Sequence, residues 1–137
     1  MRRTFLLLCA VILAVGLTSG CQPSEQAQQR EDFDHEIHAM QDGFAAFYLL
    51  GSTASVSSIQ SATDRLTATW TQIETLAEGL EDVDISAAST AHDALVEAVA
   101  ELPEDAEEGA AIHTVMPLAE AFEAEVEEIH ESGHFHE

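Results

Sequence analysis

From Asp32 onward, apolar side chains recur three and four residues apart, and that spacing limits what this chain can fold into more than any other feature. Phe33, Ile37, Met40, Phe44 and Phe47 make a first seam. Gly51-Ser52-Thr53 breaks it, and Val56, Ile59, Thr63, Leu66, Trp70, Ile73, Ala77 and Leu80 make a second. Gly79 and the run Glu81-Asp82-Val83-Asp84 close that helix. The third seam is Ile85, Ala88, His92, Leu95, Val99 and Leu102, stopped by Pro103. The fourth is Ile112, Val115, Ala119, Phe122, Val126 and Ile129, and Pro117 within it predicts a kink or a late start near Thr114. No stretch alternates with the period of two that a half-buried strand needs. Four one-sided helices joined by short turns bury their stripes against one another. The expected fold is all-α, an up-down-up-down four-helix bundle over residues 32–131.

The chain ahead of the bundle reads as an address. Arg2 and Arg3 precede a 13-residue apolar run from Phe5 to Leu17, followed by Thr18-Ser19-Gly20-Cys21. A basic start, a short apolar stretch and small residues form an export signal, and the run is shorter than the roughly 20 residues of a membrane span. Small residues directly before a cysteine resemble the lipobox of bacterial lipoproteins, although Leu17 stands one place further from Cys21 than in the commonest pattern. The resemblance implies cleavage of residues 1–20, lipid on Cys21 and anchorage to the cell envelope. In a Gram-negative host, Gln22 in place of Asp implies the outer membrane, facing the periplasm. Residues 21–31 read as the lipidated cysteine and a flexible tether, because Gln22–Arg30 is polar and lacks apolar periodicity.

Cleavage would leave two arginines, Arg30 and Arg65, against all 26 acids, a net charge of −24 with no lysine. That charge disfavours nucleic acid and anionic headgroups and draws cations or basic partners. The acids are spread over every segment, which fits adaptation to high salt, where an acidic surface stays hydrated and screened. Cys9 leaves with the signal and Cys21 carries lipid, so no thiol remains for a disulfide or a thiolate metal site.

Histidine is then the residue with chemistry to offer. In the expected topology His35, His38, His92, His130, His134 and His136 share the membrane-proximal pole, and only His113 lies toward the other. Glu31, His35, His38 and Asp42 form one exposed stripe, whose i,i+3 histidine pair suits a divalent ion or a solvated polar face. The end of the chain places His130, His134 and His136 within seven residues, with Glu127 and Glu131 beside them. Nitrogen and oxygen donors without thiolate suit zinc, nickel or copper(II). Gly133 lets that tail turn and also leaves it loose without metal. His92 sits in an apolar seam, where a hydrogen-bonded core residue is commoner than a ligand. An inward turn of His130 would join it to His92 and Met40 in an internal copper or haem site.

The helical arrangement is similar to the soluble b-type cytochrome bundles, whose haem is held by a methionine near the start of the first helix and a histidine near the end of the fourth. His130 matches the second position, but Ile37 stands where the methionine would fall and Met40 is one turn late, so haem is not expected. Catalysis has little support. There is no HExxH, no phosphate-cradling glycine loop, and the serines and threonines of residues 52–63 suit a helix start. Tyr48, Leu49 and Leu50 widen the first seam, as core filling or as a partner surface.

Two functions follow from these residues. One is a lipid-anchored bundle that binds a divalent transition metal through a histidine cluster, for buffering, sensing or delivery. His130, His134 and His136 would be its principal ligands, with Glu127 or Glu131 aiding and His35 and His38 as a second site or completing the first through a partner subunit. The other is a structural or interaction lipoprotein whose histidines are incidental, with an envelope protein or a second copy as partner. A haem or copper electron carrier is a distant third.

Overall fold

A computed structural model describes residues 24–107 and 109–133. Four helices follow one another: α1 (Glu25–Tyr48), α2 (Val56–Ala77), α3 (Ser86–Ala100) and α4 (Ala110–Gly133). The described residues contain no strand, and the all-helical expectation holds.

The seams are the core. All five seam residues of α1 are buried, as are Val56, Ile59, Thr63, Leu66, Trp70, Ile73 and Ala77 of α2 and Ile112, Val115, Ala119, Phe122, Val126 and Ile129 of α4. At the centre, the Phe122 ring lies edge-on to both Phe44 and Trp70, each at 5.2 Å between centroids. Such edge-to-face contacts add about 0.5–1.5 kcal/mol each beyond burial. Thr63 Oγ1 and Trp70 Nε1 are buried without a hydrogen-bond partner among the described residues. Tyr48 and Leu50 pack against this core, whereas Leu49 is 86% exposed.

Packing is closest within two hairpins, α1 with α2 and α3 with α4, and lighter where α2 meets α3 and α1 meets α4. The loops of the two hairpins touch at one end. Gly109, with φ of 86°, passes so close to the Ser52 carbonyl that a Cβ would stand 2.4 Å from its oxygen. Both the backbone angle and the space call for glycine there.

Two features depart from the sequence reading. Helix α1 begins at Glu25, inside the segment read as a tether. Ser24 accepts a hydrogen bond from the Ala27 amide, and tertiary contacts then hold the polar turns that follow. Gln29 Nε2 donates to the Leu76 carbonyl, and Arg30 Nη2 reaches both carboxylate oxygens of Asp82 at 2.6 and 2.5 Å. A segment without an apolar stripe is thus helical through a cap and two polar anchors. The second concerns the late-start alternative at Pro117, which lies inside α4. The helix starts at Ala110, ahead of the Thr114 start that the proline predicted, and continues past it. Pro117 is exposed, so the carbonyl it cannot serve, that of His113 one turn back, belongs to an exposed residue.

Candidate functional site: a histidine pair between the first and last helices

Each seam directs a polar stripe outward, and two of those stripes meet. His38 projects from α1 and His130 from the last turns of α4, and their rings stand edge-on at 5.1 Å between centroids and 84° between planes. That separation suits an aromatic contact, and it also suits shared coordination. Two imidazoles bound through nitrogen at about 2.0–2.1 Å to one tetrahedral ion have centroids roughly 5.2 Å apart.

One ring is already oriented. His38 Nδ1 lies 2.7 Å from the Asp34 carbonyl oxygen, one helical turn back. A carbonyl only accepts, so Nδ1 carries the hydrogen and the lone pair of the neutral ring lies on Nε2. This is the arrangement that metal-binding histidines commonly use, with the far nitrogen tied to a backbone carbonyl and the near one left to coordinate. His38 is exposed and His130 half-buried.

The other candidates separate. His35 is exposed beside α2, along a groove of about 410 Å³ that it shares with Asp32, Glu36, Thr71 and Thr75. The histidine stripe on α1 therefore divides, with His35 turned to α2 and His38 to α4. Glu127 and Glu131 are exposed on α4 near His130. Among the described residues no three histidine, cysteine or acidic side chains are grouped to hold a metal. Cys21, His134 and His136 lie outside the described residues.

His92 occupies the core position. Its Nε2 lies 3.0 Å from Thr67 Oγ1 and its Nδ1 3.5 Å from the exposed Asp93 carboxylate. Its ring packs against Phe122 at 5.3 Å and Trp70 at 6.2 Å. Either partner of the Thr67–His92 hydrogen bond can donate, according to the ring's tautomer.

Two polar arrangements had no counterpart in the sequence reading. Tyr48 Oη donates to Glu123 Oε2 at 2.5 Å, joining α1 to α4 on the same side of the bundle as the histidine pair. Burial, first, and this bond, second, raise the Tyr48 hydroxyl above its ordinary pKa. Asp84 accepts from both the amide and the hydroxyl of Ser86, holding the start of α3 where Ile85 offers no capping side chain. Those hydrogen bonds lower the Asp84 pKa. Neither follows from helical periodicity, since each depends on which neighbouring element or turn lies alongside.

No helix among the described residues is long and apolar enough to cross a membrane. Comparison with protein-family models, curated proteins and solved structures returns no match.

Proposed function

We propose that this chain is a lipid-anchored extracytoplasmic bundle that binds a divalent transition metal, with His38 and His130 as the core of the site. The observation that carries this reading is the cross-helix pair itself, two imidazoles at 5.1 Å with the His38 tautomer set by the Asp34 carbonyl. Two imidazole donors from different helices can share an exchangeable ion and leave room for further ligands. His134, four residues after His130 in sequence, is the proposed third ligand, with Glu127, Glu131 and His136 as further candidates. His92, buried against Phe122 and Trp70 with its Nε2 hydrogen-bonded to Thr67, is left out of the site. A site of this kind suits buffering or handing on metal better than catalysis. Lipid on Cys21 supplies the location, and its replacement by serine is expected to release the protein from the membrane fraction.

The test is calorimetric titration of residues 22–137, which include all four helices, with Zn²⁺, Ni²⁺ and Cu²⁺. Micromolar or tighter binding at about pH 7.5 should collapse at about pH 5.5, because histidine ordinarily takes its second proton near 6.5. His38→Ala and His130→Ala should each weaken binding at least about tenfold. His113→Ala, at an exposed position near the start of α4, should not. Salt-sensitive, pH-insensitive uptake that survives both substitutions would mean carboxylate condensation and would transfer the protein to the interaction-module reading.

A further inference from the structure

In a chain this acidic, every cation has a choice of partners. The described residues contain two, Arg30 and Arg65. Arg30 takes the Asp82 carboxylate through two hydrogen bonds. Arg65 takes none. No ion pair or side-chain hydrogen bond holds it among the described residues, although Asp64 precedes it and acids surround the bundle.

What lies beside Arg65 instead is a groove of about 350 Å³ between α1 and α2. Gly43 and Ala46 form one wall, and Ser57, Ser58 and Ser61 stand opposite, with no acidic side chain lining it. Other grooves of similar size differ. One is lined by Asp82, Asp84, Glu125 and Glu128, and another by Asp32 and Glu36. Gly43 also keeps the helices close, since a Cβ there would meet Leu66 Cδ2 at 2.8 Å.

The hydroxyls can be counted as donors. Ser55 Oγ accepts from the Ser58 amide and lies 3.0 Å from Ser57 Oγ and 2.9 Å from Ser58 Oγ. One hydroxyl hydrogen and two lone pairs allow Ser55 to donate to one of these neighbours and accept from the other. One of Ser57 and Ser58 therefore keeps its hydrogen for the groove, and the Ser61 hydroxyl makes no hydrogen bond among the described residues. The first turn of α2 contains no acid, so the positive end of that helix is not neutralised there.

We infer that this groove binds a compact oxyanion, a carboxylate or phosphate group, anchored by the Arg65 guanidinium and completed by the hydroxyls of Ser61 and of Ser57 or Ser58. A guanidinium presents a planar fork of donors matched to two oxygens of such a group. The groove lies along Gly43 and Ala46 of α1 and Leu50 just past its end, about 30 Å up the helix from its start at the rise of an α-helix. This choice of source rests on the anchorage at Cys21 proposed above: a chain held at its N-terminal end presents this position to a soluble or partner-borne anion, not to the headgroups of its own membrane. The site is independent of the histidine pair, and neither needs the other.

The test is two-dimensional NMR of residues 22–137, following the Ser57, Ser58 and Ser61 amides and the Arg65 Nε–H. The probes are inorganic phosphate, acetate and, separately, phosphatidylglycerol vesicles. Saturable shifts confined to these groups, half complete below about 50 mM of the anion, are expected, with Arg65→Gln weakening binding about tenfold or more and Arg65→Lys less. The ratio of phosphate to acetate affinity identifies the preferred head. Vesicle binding that Arg65→Gln abolishes, without free phosphate binding, overturns the soluble-anion assignment in favour of lipid. Shifts that spread evenly over the surface, fail to saturate, or persist in a folded Arg65→Gln variant overturn the site.

Discussion

Replacing Pro117 with alanine should stabilise the protein. The residue stands eight positions into α4, exposed, and has no amide hydrogen for the His113 carbonyl. In a helix interior proline costs about 3 kcal/mol relative to alanine. The full amount is not expected back. The exposed His113 carbonyl can be served by water, and the seam residues on either side, Val115 and Ala119, are already fully buried. The gain should be about 1–3 kcal/mol, or roughly 4–12 °C in Tm at about 4 °C per kcal/mol for a domain of this size. Urea denaturation followed by circular dichroism at 222 nm measures it, with Glu120→Ala on the exposed side of the same helix as a control for propensity alone. Equal or lower stability for Pro117→Ala would refute the reasoning. It would mean that Val115, Ala119 and Phe122 are packed around a bend that only proline provides, so that straightening α4 disrupts the core.

The remaining predictions concern buried and half-buried polar atoms. Thr63→Val should raise stability by about 1 kcal/mol, since it removes a buried hydroxyl that has no partner among the described residues at nearly constant shape; a loss would show that the hydroxyl is hydrogen-bonded in solution. Tyr48→Phe should cost about 1 kcal/mol at neutral pH, where the hydroxyl donates to Glu123. Because the folded Tyr48 pKa is raised, that stabilisation is complete below the unfolded value near 10 and is lost as pH climbs above it. The wild-type protein should therefore lose stability more steeply than Tyr48→Phe in alkaline denaturation, and parallel curves would exclude the coupling.

Helical periodicity carried most of the fold. The spacing of Phe33, Ile37, Met40, Phe44 and Phe47, and its counterparts on α2 and α4, marked the buried faces residue by residue, because burial in a bundle is decided by angle around one helix. Ile85 was the partial exception, half-buried at the mouth of α3. Helix ends were less legible. Glu25–Arg30 has no stripe, and its structure depends on Ser24 and on groups more than forty residues away in sequence, Leu76 and Asp82. The histidines show the same division. That Glu31, His35, His38 and Asp42 would be exposed was readable from angle, and they are. That His38 would leave His35 and meet His130 was not, because it depends on how α1 and α4 are rotated against each other. The groove beside Arg65 was not legible for a related reason: a cation is conspicuous only once its neighbours are known to lack acids.

The division of the bundle into two tight hairpins has a consequence for the order in which the protein assembles. Contacts of α1 with α2, and of α3 with α4, close short loops and carry a small entropic cost, so they form early. The α1–α4 contact joins residues as distant in the chain as His38 and His130, and it is lighter than either hairpin. It is therefore expected to form last, on docking of the preformed hairpins. The two imidazoles come together only at that final step, so a chain that had completed both hairpins and nothing more would hold its full complement of helix and still lack the pair. The proposed metal affinity, on this account, would arrive on the last stroke of folding and would be the first property lost when the hairpins begin to part.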